Sequence, residues 1–482
     1  MKKTEQIILL AVIVVAFLVR LYKIDNPVAD WHSWRQADTS AVTRNFVKFG
    51  FNPLVPRYDD ISNVQTGQDN PMGYRFVEFP LYNAISYVVY VFFSRWFGSI
   101  EFWERMVSIA LSLGTLSFIV LLVKKYIATS AALWSGLFFA LLPFSVYYGR
   151  TILPENMLLF TSTGLLYFFS EWAEDTRSVK RSYLFFVLSI VFGASALLIK
   201  PVAAALLLPL VYQLIVGQKQ KLKPSMIVLF LLFLVLIVTP LWLWRNWMRQ
   251  FPEGIPAWDW LLNGDGIRLK GAFFYWLFAE RLAKLILGYY GVFFLVTGIL
   301  TLKSDVRGWF LHMWAIAMLA YLTIVATGNV KHDYYQIFIL PVVAMYAGVG
   351  ADFVIRKAGT VFSRITAYGV VCIIFTASIA FSWYHIRTYY WINNAAIVEA
   401  GKKADEILPK DAKVIASYNG DTAFLYQINR QGWPVGHEIE KKIEKGATYY
   451  VSVTPDDPEV HFVQAKHETI LQADRFVIVT LQ

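Results

Sequence analysis

Long apolar runs recur along this chain, each bounded by a short polar stretch. They fall at roughly 6–22, 81–97, 105–123, 131–148, 155–172, 183–199, 201–216, 225–245, 284–302, 309–327, 335–352 and 366–385. A helix that crosses a bilayer needs about 20 mostly apolar residues, so the pattern predicts a polytopic, all-helical membrane domain over 1–389. After about residue 390 the pattern changes. KKADEILPKDAKVIAS predicts an amphipathic helix, a turn and a strand; ATYYVSVTP, ETILQ and RFVIVTLQ predict further strands, with helices near 420–428 and 438–445. A small α/β domain is therefore expected over 390–482.

The positive charges orient these elements, because lysine and arginine concentrate in cytoplasmic loops. Lys2 and Lys3 place the N-terminus in the cytoplasm, and Lys124-Lys125, Arg177, Lys180, Arg181, Lys219, Lys221, Lys223, Lys303, Arg307, Arg356, Lys357 and Arg364 mark further cytoplasmic loops. The run 105–123 must then enter from outside. Segment 81–97 cannot also span, so it is assigned to the outer interface, where Tyr82, Tyr87, Tyr90, Arg95 and Trp96 suit the headgroup region. Eleven spans follow, with an external C-terminal domain, in a multi-pass protein of the cell inner or plasma membrane. Met1-Lys2-Lys3 before an apolar run has the look of a signal peptide, but no small-residue cleavage site precedes Arg20, so an uncleaved helix is expected.

Composition agrees: 57% of the 482 residues are hydrophobic, with a mean hydropathy of +0.48. The net charge of +10 would suggest nucleic acid in a soluble protein. Here it sits in short loops, and no nucleic-acid partner is expected. One cysteine, Cys372, excludes an intrachain disulfide and a multi-cysteine metal site. There is no Walker loop, Rossmann fingerprint, internal repeat or low-complexity tract.

One stretch breaks the pattern. The first external loop, 23–104, is long, polar and aromatic and carries both signs of charge. Long loops of that kind are more often functional than passive. Arg35 and Asp38 stand at i, i+3, which suits a surface ion pair on a juxtamembrane helix. The functional reading is an acceptor site, with Asp30, Asp38 or His32 taking a proton from a hydroxyl; an imidazole titrates near neutrality. Glu78, just before the interface segment, is either an acid at a helix N-terminus or a ligand for a divalent cation or substrate. The turn Arg150-Thr-Ile-Leu-Pro-Glu155-Asn156 is a helix start that also offers an anion contact through Arg150. Lys200, before Pro201, either snorkels to the interface or binds a lipid phosphate. His332, Tyr334 and Tyr335 form a polar turn suited to phosphate or sugar, or to an aromatic belt. No spacing motif joins Glu78, Asp38, His32 and His332 into a metal site.

At these residues the chain resembles the GT-C glycosyltransferases that use polyprenyl-phosphate sugars, the group holding the protein O-mannosyltransferases and the lipid A aminoarabinose transferase. The resemblance runs over roughly 1–350. It is carried by His32-Ser-Trp-Arg35-Gln-Ala-Asp38-Thr, Glu78-Phe-Pro-Leu, Arg105, Gly149-Arg150 with Pro154-Glu155, Leu198-Ile-Lys200-Pro201, and His332-Asp-Tyr-Tyr335 before Leu340-Pro341. It implies inverting transfer of a sugar from a polyprenyl-phosphate donor to a hydroxyl of a lipid, glycan or protein on the external face. It places Glu155 as the second-loop acid and Lys200 as a phosphate contact. Two departures stand out. Where relatives carry Asp three residues before the loop arginine, this chain has His32; where they often carry Lys after the loop glutamate, it has Phe79. The rival readings are a transporter or flippase of lipid-linked sugars, which needs charges or broken helices within the spans, and a non-catalytic membrane scaffold. The spans read as nearly free of charge, which favours the enzyme.

Overall fold

The computed structural model describes residues 3–174, 179–217, 223–302, 305, 307–361 and 363–482. Lys2, Arg177, Lys219, Lys221 and Lys303, used above for orientation, lie outside the described residues. The chain divides into two compact units. The first comprises Met1–Ile24, Ser108–Trp244 and Trp258–Arg387; the second comprises Asp25–Val107, Arg245–Ala257 and Thr388–Gln482.

The first unit is helical, and every apolar run in it holds a helix. Among the described residues, five helices are long and apolar enough to cross a membrane: Ile100–Tyr126, Lys180–Ile199, Pro224–Met248, Asp333–Ala358 and Arg364–Ile407. A bent pair, Gly271–Ile286 with Gly291–Thr301, makes a sixth if taken as one span. The figure of eleven spans rests on charge parity and not on these lengths.

Several runs are broken, contrary to a reading of smooth spans. Proline explains two breaks, since it lacks an N–H and clashes with the preceding turn. Pro143 separates Thr129–Leu141 from Pro143–Tyr148, and Pro201 opens a 3₁₀ turn ahead of Leu207–Gly217. The sharpest break bends 284–302 by 113°. Gly288 makes it possible: its φ is +51°, and a Cβ there would meet the Ser378 carbonyl at 2.0 Å. The carbonyls freed at the bend are not left bare. Ser378 Oγ donates to Leu287 O at 2.7 Å and Ser382 Oγ to Leu285 O at 2.6 Å.

The expectation of charge-poor spans also needs correction at Arg20, which ends the first helix fully buried. Its guanidinium donates to the Ala16, Ala140 and Phe139 carbonyls at 3.0–3.2 Å and to Ser112 Oγ at 3.1 Å. Carbonyls at a helix break solvate the cation where water cannot reach.

Small residues let two helices touch. Across Gly291–Thr301 and Leu340–Val361, a Cβ on Gly350 would meet the Phe294 carbonyl at 2.0 Å, and one on Gly298 the Tyr346 carbonyl at 2.0 Å. Backbone approach of this kind is how helices pack when lipid removes the hydrophobic drive. Gly350→Ala is expected to lower stability by about 1–3 kcal/mol, read as a drop in Tm of the detergent-solubilised protein.

The second unit carries the sheet. Its strands are β1 (Val414–Ala416), β2 (Gly432–Trp433), β3 (Tyr449–Ser452), β4 (Thr469–Gln472) and β5 (Val477–Thr480), in the order β2-β1-β3-β5-β4. β1 runs parallel to β2 and β3, while β5 runs antiparallel to β3 and β4. The expected helices stand at Ala395–Ile407, Ala423–Ile428 and Ile439–Glu444. β2, two residues long, and helix Pro458–Lys466, with no clear apolar stripe, escaped the sequence pattern.

The first polar loop is built into this unit. It holds helices Ser33–Phe49 and Leu81–Phe93, and between them it extends the sheet beyond β2. Ile61 N donates to Gly432 O and Gly432 N to Asp59 O, both at 2.9 Å. Ile61 then packs with Ile415, Trp433 and Val479 in one core. On Leu81–Phe93, Val88, Val91 and Phe92 are exposed, but Tyr82 is buried and donates to the Glu104 carbonyl at 2.9 Å. Tyr82 is thus a packing residue and not part of an aromatic belt.

Candidate functional site

The sequence-predicted residues fall into two clusters, one in each unit.

In the second unit, helix Ser33–Phe49 carries Arg35 and Asp38, both buried. They do not form the surface pair that their spacing suggests. Arg35 Nη2 donates to both carboxylate oxygens of Glu78 at 2.9 Å. Asp38 instead pairs with Arg75 at 3.0 Å and accepts from Thr422 Oγ1 at 2.6 Å. Burial explains the exchange: an enclosed charge needs a close partner, and tertiary packing supplied better ones than the next helical turn. Glu78, engaged by Arg35, is no helix-start acid; the helix begins at Leu81. Its donor set also does not fit a metal, since Arg35 takes the carboxylate. Among the described residues no three His, Cys, Asp or Glu are placed to hold an ion.

Around Asp38 lie groups that spacing alone did not single out. Burial pushes the Asp60 carboxyl up to about 6, and burial does the same to Asp421. The Arg75 guanidinium lies 5.0 Å from the Tyr58 ring. Farther along the helix, Ser40 bonds both Glu104 and Tyr426 Oη, and Tyr426 Oη donates to Glu101 at 2.6 Å. Arg44 covers the Tyr426 ring at 3.9 Å. Nothing local in the sequence links Thr422 or Tyr426 to this helix, more than 380 residues away.

Asp30 and His32 sit at the start of the same helix. Asp30 is buried and accepts from Gln36 Nε2 at 2.7 Å. His32 is half-buried, with φ +55°.

In the first unit, Glu155 opens helix Glu155–Ala173 and Lys200 ends the turn before Pro201. The Lys200 ammonium bonds Glu155 Oε1, a carboxylate 3% exposed. Its charge also lies 4.8 Å from the Tyr335 ring and 5.6 Å from that of Tyr334. A lysine so held does not snorkel outward. The second Glu155 oxygen is buried without a hydrogen-bond partner. His332 stacks on Tyr334 at 5.4 Å, and Asp333 accepts from Tyr148 Oη at 2.6 Å. Arg150 is buried, donating to the Lys23 carbonyl at 2.7 Å and packing beside the Tyr147 ring.

The fold is of the GT-C type, as the similarities that follow show. Residues 85–244 match the model of the dolichyl-phosphate-mannose-protein mannosyltransferase family. The structure of ArnT from Cupriavidus metallidurans bound to undecaprenyl phosphate is similar over 100% of this chain and 98% of its own, at 14% identity and a TM-score of 0.67. Its apo state matches over 98% and 97%, also at 14% identity, with a TM-score of 0.68. The oligosaccharyltransferase AglB from Archaeoglobus fulgidus, in complex with an inhibitory peptide and a dolichol-phosphate, matches over 93% of this chain and 69% of its own, at 12% identity and a TM-score of 0.56. A comparison with curated proteins finds no match.

Proposed function

We propose that this chain is a membrane glycosyltransferase. It moves a sugar from a polyprenyl-phosphate donor to a hydroxyl of a lipid, glycan or protein, with inversion, on the external face of the cell inner or plasma membrane. The observation that carries the reading is Lys200, a cation held between a buried carboxylate and two tyrosine faces, on a fold shared with proteins whose structures hold undecaprenyl phosphate and a dolichol-phosphate.

The acceptor oxygen attacks the anomeric carbon as the carbon–oxygen bond to phosphate breaks, and the electron pair leaves with the phosphate. Lys200 and Arg150 offset the charge that gathers on the leaving phosphate; such stabilisation is strongest where water is excluded. Glu155 holds Lys200 in place, and His332, Tyr334 and Tyr335 contact sugar or phosphate. Arg35 and Glu78 brace the loop helix, and the acceptor proton goes to one of Asp30, His32 or Asp38. No step is routed through a metal.

Helix breaks such as the bend at Gly288 favour a second reading, transport of a lipid-linked sugar. One assay separates the two. Membranes containing the protein and a radiolabelled polyprenyl-phosphate sugar are expected to yield labelled acceptor. Glu155→Gln should lower that yield about 100-fold or more at normal abundance. Movement of the donor across the membrane without release of its sugar would favour transport.

A further inference from the structure

The groups around Lys200 close into a circuit of contacts, all within the first unit. Lys200 bonds Glu155 Oε1, and its ammonium lies 4.8 Å from the Tyr335 ring and 5.6 Å from that of Tyr334. One further residue touches both sides of this set. The Tyr148 carbonyl accepts from Asn156 Nδ2 at 2.8 Å, next in sequence to Glu155, and from Thr151 Oγ1 at 2.9 Å. The Tyr148 hydroxyl donates to Asp333 Oδ1 at 2.6 Å, next in sequence to Tyr334. Tyr148 ends the short helix that Pro143 starts, and it and Asp333 are each 1% exposed.

The two tyrosine rings do what a second carboxylate could not. A ring face attracts a cation through its quadrupole and carries no net charge, so it holds the ammonium without cancelling it. Glu155 alone would draw the ammonium onto itself and leave less of its charge for a phosphate. The attraction needs the ring within about 6 Å of the cation, so the placement of residues 334 and 335 matters. Both stand on the 3₁₀ turn Asp333–Ile339. Such turns have poorer internal hydrogen bonds than an α-helix and depend more on outside ties. Three are present: Tyr148 to Asp333 at 2.6 Å, Tyr321 Oη to the Tyr335 carbonyl at 3.1 Å, and Gln336 Nε2 to the Asn329 carbonyl at 2.8 Å. The first has the length of a strong hydroxyl–carboxylate bond. Of the three, it is the one that reaches the segment carrying Glu155.

We propose that Tyr148 and Asp333 are positioning residues of the sugar-transfer site. Their hydrogen bond fixes the Tyr334 and Tyr335 faces against the Lys200 ammonium and keeps that charge available to the donor's phosphate. Neither residue touches the reacting atoms. The inference rests on the sugar-transfer reading and names what holds its phosphate-binding cation in place.

The test uses the full-length protein in membranes with a radiolabelled polyprenyl-phosphate sugar. Tyr148→Phe removes the donor and keeps the ring; Asp333→Leu removes the acceptor and keeps the bulk. Each is expected to lower kcat about 10- to 100-fold, the scale of a small misplacement of a binding group, with the acceptor's KM unchanged. Asp333→Asn, which still offers an oxygen to the hydroxyl, should retain more activity than Asp333→Leu. Since both residues act through one bond, Tyr148→Phe/Asp333→Leu should be no slower than the slower single variant. Since the bond acts through the rings, Tyr148→Phe should cost less on a Tyr335→Leu background than in the wild type. Fold-losses that simply multiply in either combination would overturn the proposal, as would wild-type kcat in both single variants. A fall in Tm with kcat unchanged would show that the bond serves the fold alone. Each of those results leaves the sugar-transfer reading intact, whereas no transfer by the wild type would sink that reading itself.

Discussion

Lys200→Met is expected to reduce sugar transfer by about 100-fold or more, the usual consequence of losing one preorganised charge at a developing anion. The same change should also destabilise the protein. Lys200 is the cation bonded to Glu155, a carboxylate 3% exposed, and stripping a buried charge of its partner costs about 3–5 kcal/mol. The two effects are separable. In the double variant Lys200→Met/Glu155→Gln neither charge of this pair remains, so Tm should recover most of its loss while transfer stays down. Recovery of transfer together with Tm would show that Lys200 serves the fold alone.

The second large effect is expected at Arg75. This guanidinium pairs with Asp38 at 3.0 Å, and it favours the charged form of Asp60, whose carboxyl burial raises to about 6. Arg75→Met should cost about 3–5 kcal/mol near pH 7.5, where Asp60 is ionised. The sign of the pH dependence follows from Asp60. Its folded-state value lies above the ordinary carboxylate value, so its proton is bound more tightly in the folded chain. The stability this contributes is full below about pH 4 and is lost as pH rises through about 6. Near pH 5 Asp60 is largely neutral and makes less use of the guanidinium. The Tm penalty of Arg75→Met should therefore be smaller at pH 5 than at pH 7.5. Equal penalties at both pH values would count against electrostatic coupling between Arg75 and Asp60.

The helical membrane fold and the α/β character of the last ninety or so residues were legible because hydrophobic periodicity survives any tertiary context. So were the helices near 420–428 and 438–445, and four of the five strands, all but β2. The breaks in the spans were not, apart from the hint of Pro143 and Pro201, since the Gly288 bend depends on serines that reach it from another helix. At the candidate site, residue types were legible and partners were not. Arg35 and Asp38 looked made for each other at i, i+3, yet each found its counter-ion elsewhere. A sequence shows which charges exist; which of them meet is decided by packing. Thr422 and Tyr426 carried no signal at all, because their contacts join distant parts of the chain.

The hydrogen bonds between Ile61 and Gly432 bear on how the protein is made. A ribosome releases residues 57–61 long before β2 exists, so this segment must wait, its amide groups without their strand partner, until the final stretch of chain emerges. Contacts so distant in sequence form slowly, and an incomplete edge invites wrong pairing in the interval. Stalled or prematurely terminated chains should thus be caught by quality control even when every membrane helix has been inserted.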